Sequence, residues 1–295
     1  VPKVILTCDK HLLGPNKYSF LILDLEKNQV VDAGPHTDLL QAKIDTDSRR
    51  VSFRPFGITQ SEDKIFIASN QNIASFDKNT LEPIELVSDS GVPNTHQILY
   101  RDGYIYRTNT ANDTISRIDI TDNTEIHFSF KQMDRISQIE KIGAVESDDR
   151  HINSLLIHDE SLYVILHNRS VTNSELFKIS LDFSSYELIA KLGYSHHEIV
   201  IVGRALYSLA SATGDLLELD LDTLEIKTYH LTDEMFLRGM VLVDNRLEIF
   251  ASQRKDIVAK VHHAIRITFD LDTKSMTELP LLEMAIVTCA QIYDR

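Results

Sequence analysis

Apolar and polar residues alternate with a period of two along most of this chain, in short runs cut by turn residues. Residues 95–128 read THQILYRDGYIYRTNTANDTISRIDITDNTEIHF, with branched or aromatic side chains at alternate positions of 97–101, 104–108, 114–120 and 124–128. Runs of that length, bounded by Asp-Gly, Asn-Asp and Asp-Asn, predict strands joined by tight turns. Asp102-Gly103 supplies the positive φ angles that a two-residue hairpin turn requires. The stretch therefore predicts a four-stranded antiparallel meander.

The same unit returns along the whole chain. Its third strand and following turn recur as FLILDLEKNQV around Asp24, IASFDKNTLE around Asp77, ISRIDITDNTE around Asp119, LFKISLDFSSYE around Ser180, LLELDLDTLE around Asp220 and IRITFDLDTKS around Asp270. The first two strands recur at 57–70, 96–109, 154–167, 198–211 and 239–252. Six third strands but five first strands leave one inner strand missing, and residues 284–295 (MAIVTCAQIYDR) carry its pattern at the far end of the chain. Spacings of roughly 40 to 60 residues belong to propeller blades.

In this order of strands the chain resembles the six-bladed β-propellers of the NHL-repeat, gluconolactonase-like and lyase-like group. The resemblance implies an all-β fold of six four-stranded antiparallel blades over residues 1–295 as a single domain. The C-terminal strand is expected to join three N-terminal strands and close the ring, which removes the open sheet edges. The repeat alignment also sets Cys289 opposite Cys8. WD dipeptides, kelch glycine pairs, Asp-boxes and the N-terminal acidic metal ligand of gluconolactonase-like proteins are missing, so the resemblance brings no catalytic set with it.

Such a ring gathers the starts of its inner strands at one mouth. Those starts read FRPFGI, NTHQI, RHINSL, SHHEI and FLRGM. They contribute Arg54, His96, His151, Asn153, His197, Glu198 and Arg238, while second strands end at Asp9, Asn70, Asn109, His167, Ser211 and Ser252. His96, His151 and His197 have the donor type of a divalent-metal site, with Glu198 as a further ligand, and equally that of a catalytic acid or base near neutral pH. Arg238 and Arg54 suit a carboxylate or phosphate through the guanidinium fork, with Asn70, Asn109, Asn153 and His167 as further substrate contacts. Of His196 and His197, only one should face the axis, because neighbouring strand residues point to opposite faces. Tyr104 and Tyr106 read as packing residues within a blade. His262-His263 lies in a long loop, and residues 132–149 carry some helical periodicity.

Composition narrows the classes. A net charge of −14 disfavours nucleic acid and anionic membranes as partners. No apolar run approaches the roughly 20 residues that span a bilayer. Two cysteines form no disulfide framework, and no basic leader precedes the first strand, so a cytoplasmic setting is expected unless a leader has been trimmed before Val1. HExxH, CxxC, P-loop, GxSxG and dinucleotide patterns are all missing. The reading is a lyase or hydrolase acting on a small polar or anionic molecule at the tunnel mouth. The alternatives are a ligand sensor and a non-catalytic scaffold with a protein partner.

Overall fold

The computed structural model describes residues 1–10, 18–36, 55–69, 72–88, 94–136, 148–253, 264–281 and 286–294, with backbone only at 9, 10, 88 and 286. Blade 1 begins with β1 (Lys3–Lys10), β2 (Leu21–Asp24) and β3 (Gln29–Ala33). Blade 2 is β4 (Ile58–Gln60), β5 (Lys64–Ala68), β6 (Ile73–Asp77) and β7 (Pro83–Ser88). Blade 3 is β8 (Ile98–Arg101), β9 (Tyr104–Asn109), β10 (Thr114–Asp119), β11 (Glu125–Ser129) and β12 (Asp134–Ile136). Blade 4 is β13 (Ile152–His158), β14 (Ser161–Leu166), β15 (Ser174–Ser180) and β16 (Tyr186–Gly193). Blade 5 is β17 (His196–Val202), β18 (Ala205–Ala210), β19 (Asp215–Asp220) and β20 (Ile226–His230). Blade 6 is β21 (Met235–Val243), β22 (Arg246–Gln253), β23 (Ala264–Asp270) and β24 (Met276–Leu281).

The last strand, β25 (Ile286–Tyr293), pairs antiparallel with β1 and completes blade 1 in the order β25-β1-β2-β3. The inner strands β25, β4, β8, β13, β17 and β21 each touch the next, and β21 touches β25. The chain is thus a six-bladed β-propeller closed as its repeats predict. Apolar clusters fill the spaces between adjoining blades, for example Val4, Leu23 and Phe250 between blades 1 and 6.

The repeated acidic residue explains the third-strand motif. The carboxylates of Asp24, Asp77, Asp119, Asp220 and Asp270 accept backbone N–H bonds from residues two or three further on, at 2.7–3.1 Å. Each bond closes the turn to the outer strand. In blade 4 Ser180 Oγ accepts from Ser185 N instead, at 3.0 Å. On the inner hairpin of blade 3, Asp102 and Gly103 have φ of 49° and 84°, the left-handed pair expected there.

At least one hydroxyl bridges each seam between blades. Thr7 Oγ1 donates to Phe56 O (2.7 Å), Thr110 Oγ1 to Ile152 O (2.7 Å) and Ser211 Oγ to Leu237 O (2.6 Å). Thr59 Oγ1 accepts from Tyr100 N (2.8 Å), Ser154 Oγ from Glu198 N (2.6 Å) and Ser252 Oγ from Val287 N (2.9 Å). The inner strands also crowd closely. A Cβ on Gly57 would lie 2.8 Å from Gln97 Cα, and one on Gly239 would lie 2.8 Å from Ala290 Cβ.

Two sequence expectations are corrected. Cys8 does not face Cys289: a register shift between Thr7 and Cys8 pairs Cys289 with Thr7 and Cys8 with Val287. The two thiols consequently enter different core clusters and are not joined as a disulfide. The helical periodicity of residues 132–149 meets a strand at Asp134–Ile136, which adds a fifth strand to blade 3. Residues 137–147 lie outside the described residues, as do Arg54, Asn70 and His262-His263. Tyr106 packs in the core with its hydroxyl on Leu181 O, and Arg117 covers Tyr104, in keeping with a packing role for both tyrosines.

Thr110→Val keeps the side-chain volume but removes the clip to Ile152 O. We expect a loss of about 1–3 kcal/mol in urea unfolding, the cost of stripping a partner from a buried carbonyl.

Candidate functional site

Six rings and one guanidinium follow one another around the mouth, from blade 2 to blade 6. Phe56 stacks on His96 (centroids 5.5 Å apart), His96 meets His151 edge-on (5.1 Å), and His151 meets His167 (5.3 Å). His167 then meets His197 (4.9 Å), His197 meets Phe236 (5.8 Å), and Arg238 lies over the Phe236 ring at 4.5 Å. His197 is buried, whereas the other members of this belt are half-buried and keep a face toward solvent.

Three β-bulges aim the polar residues. The register slips between Ile152 and Ser154, between His197 and Val200, and between Leu237 and Gly239. Asn153, Glu198 and Arg238 fall within those slips, on three successive inner strands. A bulge leaves a residue unpaired and redirects its side chain, at the expense of regular pairing. Glu198 adopts a φ of 57° there, in the left-handed region that non-glycine residues seldom enter.

His151 is held from two sides. Its Nδ1–H donates to Asp148, with 2.8 and 2.9 Å to the two carboxylate oxygens, which leaves Nε2 as the basic nitrogen. From blade 3, the buried Asp113 carboxylate accepts the N–H groups of Asp149, Arg150 and His151 at 3.2, 2.9 and 3.3 Å. That grip fixes the approach to β13, where His151 has a φ of 48°.

The tautomer of His197 follows from its partners. Ser211 spends its proton on Leu237 O, so its oxygen, 2.7 Å from His197 Nδ1, accepts; Ser195 O also accepts, at 3.1 Å. Nδ1 therefore carries the hydrogen, and Nε2 accepts from Asn153 Nδ2 at 2.8 Å. His196 points away into its blade, toward Ser208 Oγ at 3.2 Å, so one of the two adjacent histidines joins the belt.

One residue further along the inner strands lie Cys289, Gly57, Gln97, Ser154, Glu198 and Gly239, with the longer side chains on alternate blades. Glu198 accepts from Gln97 Nε2 at 3.2 Å and also meets the Cys289 thiol, while Gln97 Oε1 accepts from Leu155 N. These groups form a polar floor beneath the belt.

Burial and positive charge keep His96, His167 and His197 neutral. Desolvation is the largest cause that lowers His96 to about 3 and His167 to about 4, followed in both by the field of His151 and then Arg238. Half-buried by surface area, His96 is still enclosed tightly enough for desolvation to dominate. His197 falls well below the usual range for the same first cause, with Arg238 next. Burial pushes Glu198 up to about 8 against the pull of Gln97 and Arg238, and raises the Cys289 thiol well above its ordinary value. At neutral pH the site thus holds the Arg238 guanidinium, neutral imidazoles at His96, His167 and His197, and a Glu198 carboxyl that keeps its proton.

The structure therefore gathers His96, His151, Asn153, His167, His197 and Arg238. Glu198 lies below them, and Asn109 turns into blade 3, where its amide donates to Thr114 Oγ1 and Ser116 Oγ. Among the described residues no group of three or more His, Cys, Asp or Glu side chains is arranged to hold a metal ion. His197 Nε2 is taken by Asn153, and the Glu198 carboxyl is turned to Gln97 and Cys289. Phe56, Phe236 and Asp148 were missed from the sequence. Phe56 stands in FRPFGI where His96 stands in NTHQI, so extending the repeat alignment would have found it; Asp148 carries no such signal.

Neither a protein-family pattern nor a curated protein matches the chain. In three dimensions it is similar to a chain of a nidogen/laminin complex, with a TM-score of 0.70 and 12% identity over 99% of this chain and 98% of that one. It is also similar to a protein of unknown function from Bacteroides caccae (TM-score 0.67, 11% identity, 100% of both chains). A third likeness is to streptogramin B lyase (TM-score 0.50, 12% identity, 76% of this chain and 82% of that one). Identities this low carry the propeller fold and no activity. Among the described residues, no helix is long and apolar enough to cross a membrane.

Glu198→Gln tests the floor. The unfolded carboxyl loses its proton near 4.5 and the folded one near 8, so the native state alone retains it between those values. Wild-type stability should therefore fall as pH rises from 4.5 through 8, by roughly 3 to 5 kcal/mol. Urea unfolding at pH 5, 7 and 9 should show that decline much reduced in the variant, which becomes the more stable protein at pH 9.

Proposed function

We propose that the protein binds a small polar or anionic molecule at the tunnel mouth and acts on it as a histidine-assisted lyase or hydrolase. The observation that carries this reading is the half-buried guanidinium of Arg238 set in a belt of neutral imidazoles beside the Asp148–His151 pair. Arg238 would take the anion through its paired N–H donors. His151 Nε2 would accept a proton from a bound water, hydroxyl or acidic C–H, and the imidazolium so formed would be paired at once with Asp148. Enzymes occur on this fold, streptogramin B lyase among them, which is an analogy of architecture only.

The scaffold reading called for an apolar patch on the loop face. Among the described residues, exposed large apolar side chains fall mainly on outer strands: Val31, Ile84, Leu86, Tyr186, Leu188, Ile226, Met276 and Leu279, spread over five blades. Val171 and Tyr194 are exposed on connections at the loop face.

Anion binding should be coupled to proton uptake. Burial first, and then the positive field of His151 and Arg238, lowers His96 and His167; a bound negative charge opposes that field, so their pKa values rise in the complex. At pH values between the free and the complexed pKa the complex then holds more protons than the free protein, and affinity tightens by up to about tenfold per pH unit for each proton taken up. Titration calorimetry with succinate between pH 7.5 and 5 reads this directly. Arg238→Ala should weaken the same binding by roughly 10- to 100-fold. It should also raise the pKa of His96 and His167 in the free protein, seen in their ring-proton NMR shifts. Once turnover of any substrate is detected, His151→Ala should abolish it and Asp148→Asn should reduce it. Unchanged anion binding in Arg238→Ala would refute the reading.

A further inference from the structure

Asn153 is 5% exposed, and the tautomer argument fixes which way its amide points. His197 carries its hydrogen on Nδ1, so Nε2 needs a donor and only Nδ2 of Asn153 supplies one there. The carbonyl Oδ1 must then face the other way, and no donor among the described residues reaches it. A buried acceptor left unmet costs about 1–3 kcal/mol. Its neighbour shares the condition: His167, also of blade 4, has a buried Nδ1 without a partner. The pairing of Ile152 with Leu166 sets His167 opposite His151, one step toward the mouth from Asn153, and both Asn153 and His167 adjoin the His197 ring.

Two unmet polar atoms beside a guanidinium describe a ligand with two recognition points. Arg238 lies over the Phe236 ring, and Phe236 meets the His197 ring that Asn153 and His167 both adjoin, so an anion held by Arg238 approaches the unmet atoms across those two rings. We propose that the ligand is a hydroxy- or amino-substituted small carboxylate, its anionic group on Arg238 and its O–H or N–H donated to Asn153 Oδ1. This proposal rests on the anion reading above and sharpens it into a substrate class. Asn153 is the residue that sets specificity, because a ligand without the donor leaves Oδ1 buried and unpaired. Such a penalty discriminates against the missing group more strongly than an apolar pocket discriminates by shape. A hydroxyl further suits His167 Nδ1, since an oxygen that donates to Asn153 retains lone pairs for a ring N–H. Asn153 occupies the β13 bulge, so ordinary strand pairing does not consume its side chain.

Matched ligand pairs test this on the whole protein: succinate with malate and aspartate, and propionate with lactate and alanine. Binding is measured by titration calorimetry and by the ring-proton shifts of the histidines. At least one substituted member should bind roughly tenfold more tightly than its parent, the equivalent of one buried hydrogen bond. In Asn153→Leu, with Asn153→Ala as a second variant, that advantage should disappear while the parent acid binds about as before. Equal binding of every parent and its substituted partners, with Arg238→Ala still weakening all of them, overturns the donor proposal and leaves the anion site standing. An advantage that survives both Asn153 variants overturns it too, since another group then reads the donor. Failure of every carboxylate to bind removes both readings together.

Discussion

Hydroxyl bridges, at least one at each seam, tie every blade to the next around the ring. Each of these six engages a backbone N–H or C=O of the neighbouring blade. Such groups are expensive to bury unpaired, so the seams can be dry only because a serine or threonine stands in the right place. Close approach at Gly57 and Gly239 completes the same arrangement, allowing backbone to meet backbone where a methyl group would intrude. The chain ends share one blade under this constraint, and a β25 that failed to pair with β1 would expose two sheet edges.

The site arises where that regularity is relaxed. Bulges in β13, β17 and β21 break the pairing at the mouth and release Asn153, Glu198 and Arg238 from the alternation of the strands. Left-handed backbones, found at turns elsewhere in the ring, occur here too, at His151 and Glu198. The surrounding pairing and the grip of Asp113 over-determine these conformations, as strained functional residues require. The electrostatics are consistent with the geometry. Burial and the field of His151 and Arg238 keep His96 and His167 neutral, and burial keeps the proton on Glu198. A site so balanced has positive charge to offer an incoming anion without having to protonate first.

Structural likeness at 11–12% identity over nearly whole chains has a simple cause. A propeller needs alternation, turn residues and small or hydroxylated side chains at the seams, and many sequences meet those needs. The mouth is under no such common requirement, since any side chain that tolerates partial burial fits the start of an inner strand. Fold is therefore shared at identities that leave the residues of the mouth free to differ.

The period-two alternation and the acidic turn repeat determined the number of blades, their strands and the closure by the C-terminus, because these are local signals repeated six times. The same alignment brought His96, His151, His197 and Arg238 to one mouth, since position along an inner strand is counted in residues. Only the tertiary structure decided what required a register shift or a contact between distant residues. The bulge at Thr7 that separates Cys8 from Cys289, the bulges that free Asn153 and Arg238, the pairing of Asp148 with His151, and the descent of Glu198 to the floor are all of this kind. A one-residue slip reverses the face a side chain occupies, and it is settled by packing against neighbouring blades, which no short window of sequence contains.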